Sequence, residues 1–306
     1  MAARWATPSG AQWRIASGPH QATVVEVGGG LREYTVDGVP AVDPYPATSV
    51  CPRSAGQLLA PWPNRLGGGR YTFYGTAYQL PITEVTRGNA SHGLARWVAW
   101  QRVEQTPESV ELTCVLPPQP GYPFALGLTT RWSVGLDGLR ADHTAVNLGA
   151  TAAPFGLGAH PYLRVSDATL DDLVLHLPAA ERLTVDERLL PTGREPVNGT
   201  PHDFRAARQI RGTELDTTFT GLTRDADGIA RFRLTDTDGA GVELWQGATF
   251  GWVQVYSGIG PSGSLRHTLA VEPMSCPPDA FRSGDGLVTL APGDRWTGSW
   301  GITPLG

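Results

Sequence analysis

Two histidines and one late glutamate are the residues best suited to chemistry: His92 in Gly-Asn-Ala-Ser-His-Gly, His160 in Gly-Leu-Gly-Ala-His-Pro-Tyr-Leu, and Glu272 in Ala-Val-Glu-Pro-Met-Ser-Cys-Pro-Pro. Each sits among Gly, Pro and aromatic residues, which combine special backbone torsions with flat apolar surface for a small ligand. Two imidazoles and a carboxylate suffice to give and take protons near neutral pH. His160 precedes Pro161, which holds its backbone extended, and Tyr162 follows as a face on which a sugar could stack. Glu272 closes an apolar run, so it reads either as a buried, hydrogen-bonded carboxylate or as part of a cavity wall.

Other polar residues fit the same picture less sharply. In Pro61-Trp62-Pro63-Asn64-Arg65, Asn64 offers an amide and Arg65 a planar fork of donors, the groups that polyol binding uses. A surface hairpin with a solvated arginine would read the same way. Asp216, in Glu-Leu-Asp-Thr-Thr-Phe, is a second carboxylate. Trp62, Trp252 and Tyr256 are either stacking faces or core. His20, His143, His176, His202 and His267 have no motif around them and read as surface or packing residues.

Composition removes several classes of function. A net charge of -5 and a pI of 5.8 leave no basic footprint for nucleic acid or an anionic membrane. All 24 Lys+Arg positions are Arg, so Schiff-base enzymes, lysine-held pyridoxal phosphate and Walker-type phosphate loops lack their lysine. Cys51, Cys114 and Cys276 are too widely spaced for a zinc site or a disulfide framework and read as reduced thiols. No secretory signal or membrane-spanning run is apparent, which makes the cytoplasm the expected location.

The elements that must position these residues are short runs of β-branched and aromatic residues with period-two alternation. Phe124, Leu126, Leu128, Thr130, Trp132 and Val134 share one face of a strand. Similar runs fall at Thr23 to Val27, Glu33 to Val36, Tyr71 to Phe73, Val110 to Leu116, Leu139 to Leu148, Ala230 to Leu234, Val242 to Trp245 and Trp252 to Tyr256. Asp37-Gly38, Tyr74-Gly75, Asp137-Gly138, Asp227-Gly228 and Asp238-Gly239 are reversals between antiparallel strands. With 38 Gly and 26 Pro spread throughout and no linker, residues 1–306 read as one all-β domain, a large antiparallel β-sandwich. Short helices are expected only at Ala55 to Leu59 and around His202 to Ala207.

Taken together, the Asn64-Arg65 element, the Gly-Asn-x-x-His-Gly element ending at His92, His160-Pro161-Tyr162, Leu215-Asp216 and Glu272-Pro273 resemble the aldose 1-epimerase (galactose mutarotase) family, in its order and at roughly its spacing. His92 with its following Gly-Leu-Ala-Arg-Trp is similar to the bacterial mutarotase-like branch. The resemblance implies a galactose-mutarotase-like supersandwich that binds a free aldose such as galactose or glucose, as monomer or homodimer, without metal or cofactor. It implies His160 as general acid at the ring oxygen, Glu272 as general base at the anomeric hydroxyl and His92 as a second donor. Arg65 and Asp216 would hold ring hydroxyls, with Asn64 and Tyr162 as helpers. Three alternatives remain open: a hexose-phosphate epimerase using Arg70, Arg87 and Arg96, a non-catalytic sugar-binding or regulatory module, and a glycosidase built on Glu272 and Asp216.

Overall fold

The alternation of apolar and polar residues dictates antiparallel sheets, and a computed structural model, which describes residues 7–306, shows them. A nine-stranded sheet runs, in spatial order, through Gln101–Gln105, Ser109–Leu116, Leu126–Gly135, Gly138–Asn147, Arg295–Leu305, Gly241–Gln246, Ala230–Thr235, Val174–His176 and Arg208–Gln209. A second large sheet runs through Pro191–Pro196, Ala179–Val185, Asp216–Leu222, Trp252–Tyr256, Leu269–Met274, Gly158–Ala159 and Leu58–Leu59, with Tyr162–Leu163 also pairing Leu269–Met274. A four-stranded sheet is formed by Gln12–Ser17, His20–Val25, Leu31–Val36 and Val39–Pro40.

Burial follows the period-two pattern. Along Leu126–Gly135 every second residue is buried, beginning with Leu126. Its apolar side chains join those of Phe219, Val253, Val255, Leu269 and Val271 from the other large sheet in one continuous core. Removal of such surface from water is the main favourable term for a fold of this kind.

Two features tie the core together with directed bonds. Trp132 and Trp300 meet edge to face at 5.6 Å, and the Trp132 indole N–H donates to the Gly29 carbonyl at 2.9 Å. The Trp300 indole N–H donates to His143 Nε2 at 2.8 Å. Because an indole only donates, His143 Nε2 must accept, which leaves Nδ1–H to donate to Thr130 Oγ1 at 3.0 Å. His143 is thus a satisfied core residue, and burial pushes its pKa down to about 4. Cys51, Cys114 and Cys276 are free and buried. Burial pushes each thiol up to about 12, which makes them poor nucleophiles.

The two expected helices do not form. Leu58–Leu59 is a strand, and Pro52–Ser54 makes one tight 3-10 turn before it. The segment around His202 to Ala207 is turn and irregular backbone. Among the described residues the α-helix is Ala280–Ser283, a single turn that no periodicity signalled.

Gly56 explains the first difference. Its φ of +65° is incompatible with a helix and unfavourable for any residue with a Cβ. A Cβ there would collide with the Leu31 carbonyl oxygen. Gly56 N–H donates to the His160 carbonyl at 2.9 Å, and its own carbonyl accepts from Leu31 N–H at 2.9 Å. This glycine therefore fixes the backbone of His160 against the N-terminal sheet. Gly56→Ala should destabilise the protein by about 3 kcal/mol or more; a urea unfolding midpoint close to that of wild type would show that the strap at Gly56 yields.

Candidate functional site

Antiparallel register places three strands' polar residues on one face. Across Asp216–Leu222, Trp252–Tyr256 and Leu269–Met274, Asp216 faces Tyr256, Thr218 faces Gln254, and Gln254 faces Glu272. Asp216 and Thr218 are two residues apart, as are Gln254 and Tyr256, so all five side chains project to the same side. Tyr162 pairs Ala270 two residues before Glu272 and joins them there.

The opposite wall comes from loops. Residues Arg65–Gly67 pair Asn89–Ser91, which sets Asn64-Arg65 beside Ser91-His92. Asn64 and His92 both adopt left-handed backbone, with φ of 54° and 62°. His92 N–H donates to the Asn64 carbonyl at 2.8 Å, and Asn64 Oδ1 accepts from Arg65 N–H at 2.9 Å. Pro161 delivers its carbonyl to Val271 N–H, which locks His160 to the strand that carries Glu272.

Together these elements enclose a cavity of about 350 Å³ lined by Arg53, Ser54, Asn64, Arg65, Arg87, His92, His160, Tyr162, Asp216, Gln254, Tyr256 and Glu272. All seven residues singled out by motif meet there. A larger and more open hollow, over Arg70, Tyr71, Tyr78 and Arg282, has about 750 Å³ but no acid and base pair, so size does not locate the chemistry. Of the aromatic residues offered as sugar faces, only Tyr256 and Tyr162 line the cavity. Trp62 is buried against Phe281, and Trp252 is buried beneath the Arg194 guanidinium.

At the centre, His160 Nε2 lies 3.3 Å from Glu272 Oε1. His160 stacks on Tyr162 at 4.9 Å between ring centroids, and His92 approaches His160 edge-on at 5.5 Å. Burial dominates the electrostatics. It pushes His160 down to about 3, aided by the positive charges of Arg96 and Arg65, and pushes His92 well below the ordinary histidine value. Burial and the nearby Asp216 carboxylate raise Glu272 well above 4.5, opposed by Arg65. Burial thus favours the neutral form of each member of the pair. Nδ1 of both histidines and Glu272 Oε2 are buried with no protein partner.

The sequence reading missed Gln254, Arg53, Ser54 and Glu84. Gln254 Nε2 donates to Asp216 Oδ1 at 2.6 Å, and Thr218 Oγ1 donates to Gln254 Oε1, which fixes Asp216 from the sheet side. A signal for it exists: Gln254 is the one amide on the inward face of an otherwise apolar strand. Glu84 receives Arg65, Arg87 and Asn89.

The arginines named for a phosphate do not converge. Arg87 lines the cavity but pairs Glu84. Arg70 bonds Gln79 at the larger hollow, and Arg96 donates to Ser54 Oγ at 3.1 Å from behind the wall. Among the described residues no group of His, Cys, Asp and Glu could hold a metal ion, and no helix is long and apolar enough to cross a membrane.

The profile of the aldose 1-epimerase family matches residues 12–303. The chain belongs to the aldose 1-epimerase family. It is 40% identical over 287 residues, 93% of this chain and 90% of the relative, to the uncharacterized protein YihR of Escherichia coli (strain K12). A galactose mutarotase of Rattus norvegicus is 34% identical over 154 residues, 46% of this chain and 42% of that one. An aldose epimerase homologue from C. elegans has a solved structure with a TM-score of 0.84 at 21% identity, covering 97% of this chain and 98% of that one. The fold is that of the galactose mutarotase-like proteins, all-β with several antiparallel sheets.

The raised carboxyl has a consequence for stability. In the unfolded chain Glu272 ionises above its ordinary value of 4.5, whereas in the folded protein it keeps its proton to higher pH. Its contribution is intact below 4.5 and is lost as pH rises through the folded value. Glu272→Gln, which cannot ionise, should unfold at higher urea than wild type at about pH 8, with the gap closing toward acid pH. A gap of constant size across that range would mean that Glu272 does not carry the raised pKa.

Proposed function

We propose that this protein is an aldose 1-epimerase in activity as well as in family, opening and reclosing the ring of a free hexose so that its α and β anomers interconvert. The observation that carries this reading is the close His160–Glu272 pair in a cavity of monosaccharide size, with hydroxyl-binding groups around it. The partial likeness to a protein named galactose mutarotase supports it.

Ring opening needs a proton removed from the anomeric hydroxyl and one delivered to the ring oxygen as the C1–O5 bond breaks. In this reading the two groups, 3.3 Å apart, hold between them a single titrating proton. Its passage from Glu272 to His160 creates a carboxylate base and an imidazolium acid, and Arg65 with the sugar's own hydroxyls favours the carboxylate. The electron pair of the broken bond goes to O5, which takes the proton from His160. The O1 proton goes to Glu272, and C1 becomes an aldehyde. Rotation about C1–C2 followed by the reverse transfers closes the ring in the other configuration and restores both side chains. His92, kept neutral, gives one N–H bond to the ring oxygen side, while Arg65, Asp216 and Asn64 hold hydroxyls and Tyr162 and Tyr256 flank the sugar. A glycosidase would set two carboxylates across the bond, whereas the near partner of Glu272 is an imidazole.

The test is polarimetry of freshly dissolved α-D-galactose and α-D-glucose. Wild type should speed the approach to anomeric equilibrium, and His160→Asn and Glu272→Gln should each lose about a hundredfold or more of that effect. If neither sugar relaxes faster with wild type, mutarotation of simple hexoses is ruled out.

The pair also sets the pH profile. With His160 lowered to about 3, a second proton does not reach it near the ordinary 6.5, so kcat/KM should stay level as pH falls through 6.5. It should decline on the alkaline side as Glu272 loses the shared proton. An acid limb centred near 6.5 in the measured profile would contradict this proton assignment.

A further inference from the structure

Glu84 sits on the turn that leads into Asn89–Ser91 and His92, behind the cavity wall rather than in its lining. Its carboxylate receives Arg65 Nε at 3.0 and 3.2 Å, Asn89 Nδ2 at 2.9 Å and Arg87 Nη1 at 3.1 Å. Burial by itself would raise the Glu84 carboxyl, but the hydrogen bonds from Arg65, Asn89 and Arg87 outweigh it and leave the group below its ordinary value. It is an ionised anchor.

On its other side the same guanidinium faces Asp216. Arg65 Nη2 is 3.9 Å from Asp216 Oδ2, too far for a hydrogen bond, and Nη1 is 3.4 Å from Asn64 Oδ1. Two carboxylates thus compete for one planar fork, and Glu84 holds it through Nε, with Nη1 against Asn64 Oδ1 and Nη2 on the side of Asp216. If Glu84 were neutral or absent, a modest rotation of Arg65 would close the gap and form the direct pair with Asp216. That pair would occupy both groups with each other.

Resting on the proposed function, we propose that Glu84 is a positioning residue that holds Arg65 off Asp216 and so keeps open the subsite for the sugar's ring hydroxyls. It does not touch the sugar; it acts through Arg65. The turn itself has other supports. Arg188 Nη2 bonds the Gly88 carbonyl at 2.7 Å and Asn89 Oδ1 at 3.1 Å, and Arg188 Nε bonds the Arg87 carbonyl at 2.8 Å. Removing the Glu84 carboxylate therefore frees Arg65 while the turn that leads to His92 stays braced.

The experiment compares wild type with Glu84→Ala and Glu84→Gln. In the mutarotation assay Glu84→Ala should raise KM about tenfold or more with kcat changed less than about threefold, and Glu84→Gln should fall between it and wild type. A general loss of structure would lower kcat as well, which separates the two roles. The sugar-free crystal structure of Glu84→Ala should show an Arg65–Asp216 nitrogen-to-oxygen distance below about 3.2 Å. An Arg65 that stays in its wild-type place, or a KM that does not move, overturns the proposal. If Glu84→Ala does not fold, Glu84→Gln is read by the same two measurements. If wild type fails to speed mutarotation, the proposed function is lost, and the position of Arg65 in the variant still decides whether Glu84 holds it off Asp216.

Discussion

Everything in the site depends on burying two titratable groups, His160 and Glu272, 3.3 Å from each other. In water His160 would be partly charged and Glu272 fully so. In the cavity, burial drives both toward their neutral forms. Neither group is then a strong acid or base alone. In the proposed reaction they act as one unit that donates at one atom and accepts at another, as long as the geometry keeps them together. The sheet supplies that geometry: Glu272 is in a fully buried strand, and His160 is strapped to it by the Pro161 carbonyl and to the N-terminal sheet by Gly56.

The cavity's polar rim follows from register. A strand pair fixes which residues face each other, and period two fixes which of them share a face. Asp216, Gln254, Tyr256 and Glu272 reach the cavity, with Thr218 beside Gln254 on the same face, because three neighbouring strands of the second sheet keep a common register there. A one-residue slip of any of them would turn its polar groups into the core. The loop-borne groups need different devices, and both Asn64 and His92 use left-handed backbone to turn their side chains inward.

Strands were the most legible part of the sequence because burial on one face writes itself as alternation, as in Leu126–Gly135. The short helices were not, since Ala55 to Leu59 has a helix-like composition but depends on Gly56 in a torsion that no composition reveals. Among site residues, those in Gly- and Pro-rich motifs stood out: His92, His160, Glu272 and Asn64-Arg65. Gln254 was visible in principle as an amide within Trp-Val-Gln-Val-Tyr. Glu84 and Arg53 were not visible, because an acid or an arginine in a loop looks solvated until the tertiary fold shows what it faces.

The absence of lysine acquires another meaning once the cavity is known. Its cations are Arg53, Arg65 and Arg87, and no lysine occurs anywhere in the sequence. Guanidinium groups stay charged and do not condense with a carbonyl as an amine does. Under the proposed function, a sugar that opened here would expose its aldehyde to cations that stabilise oxygen atoms without trapping carbon. With no lysine in its sequence, a protein of the proposed function would offer no lysine to glycation by the open form of its ligand.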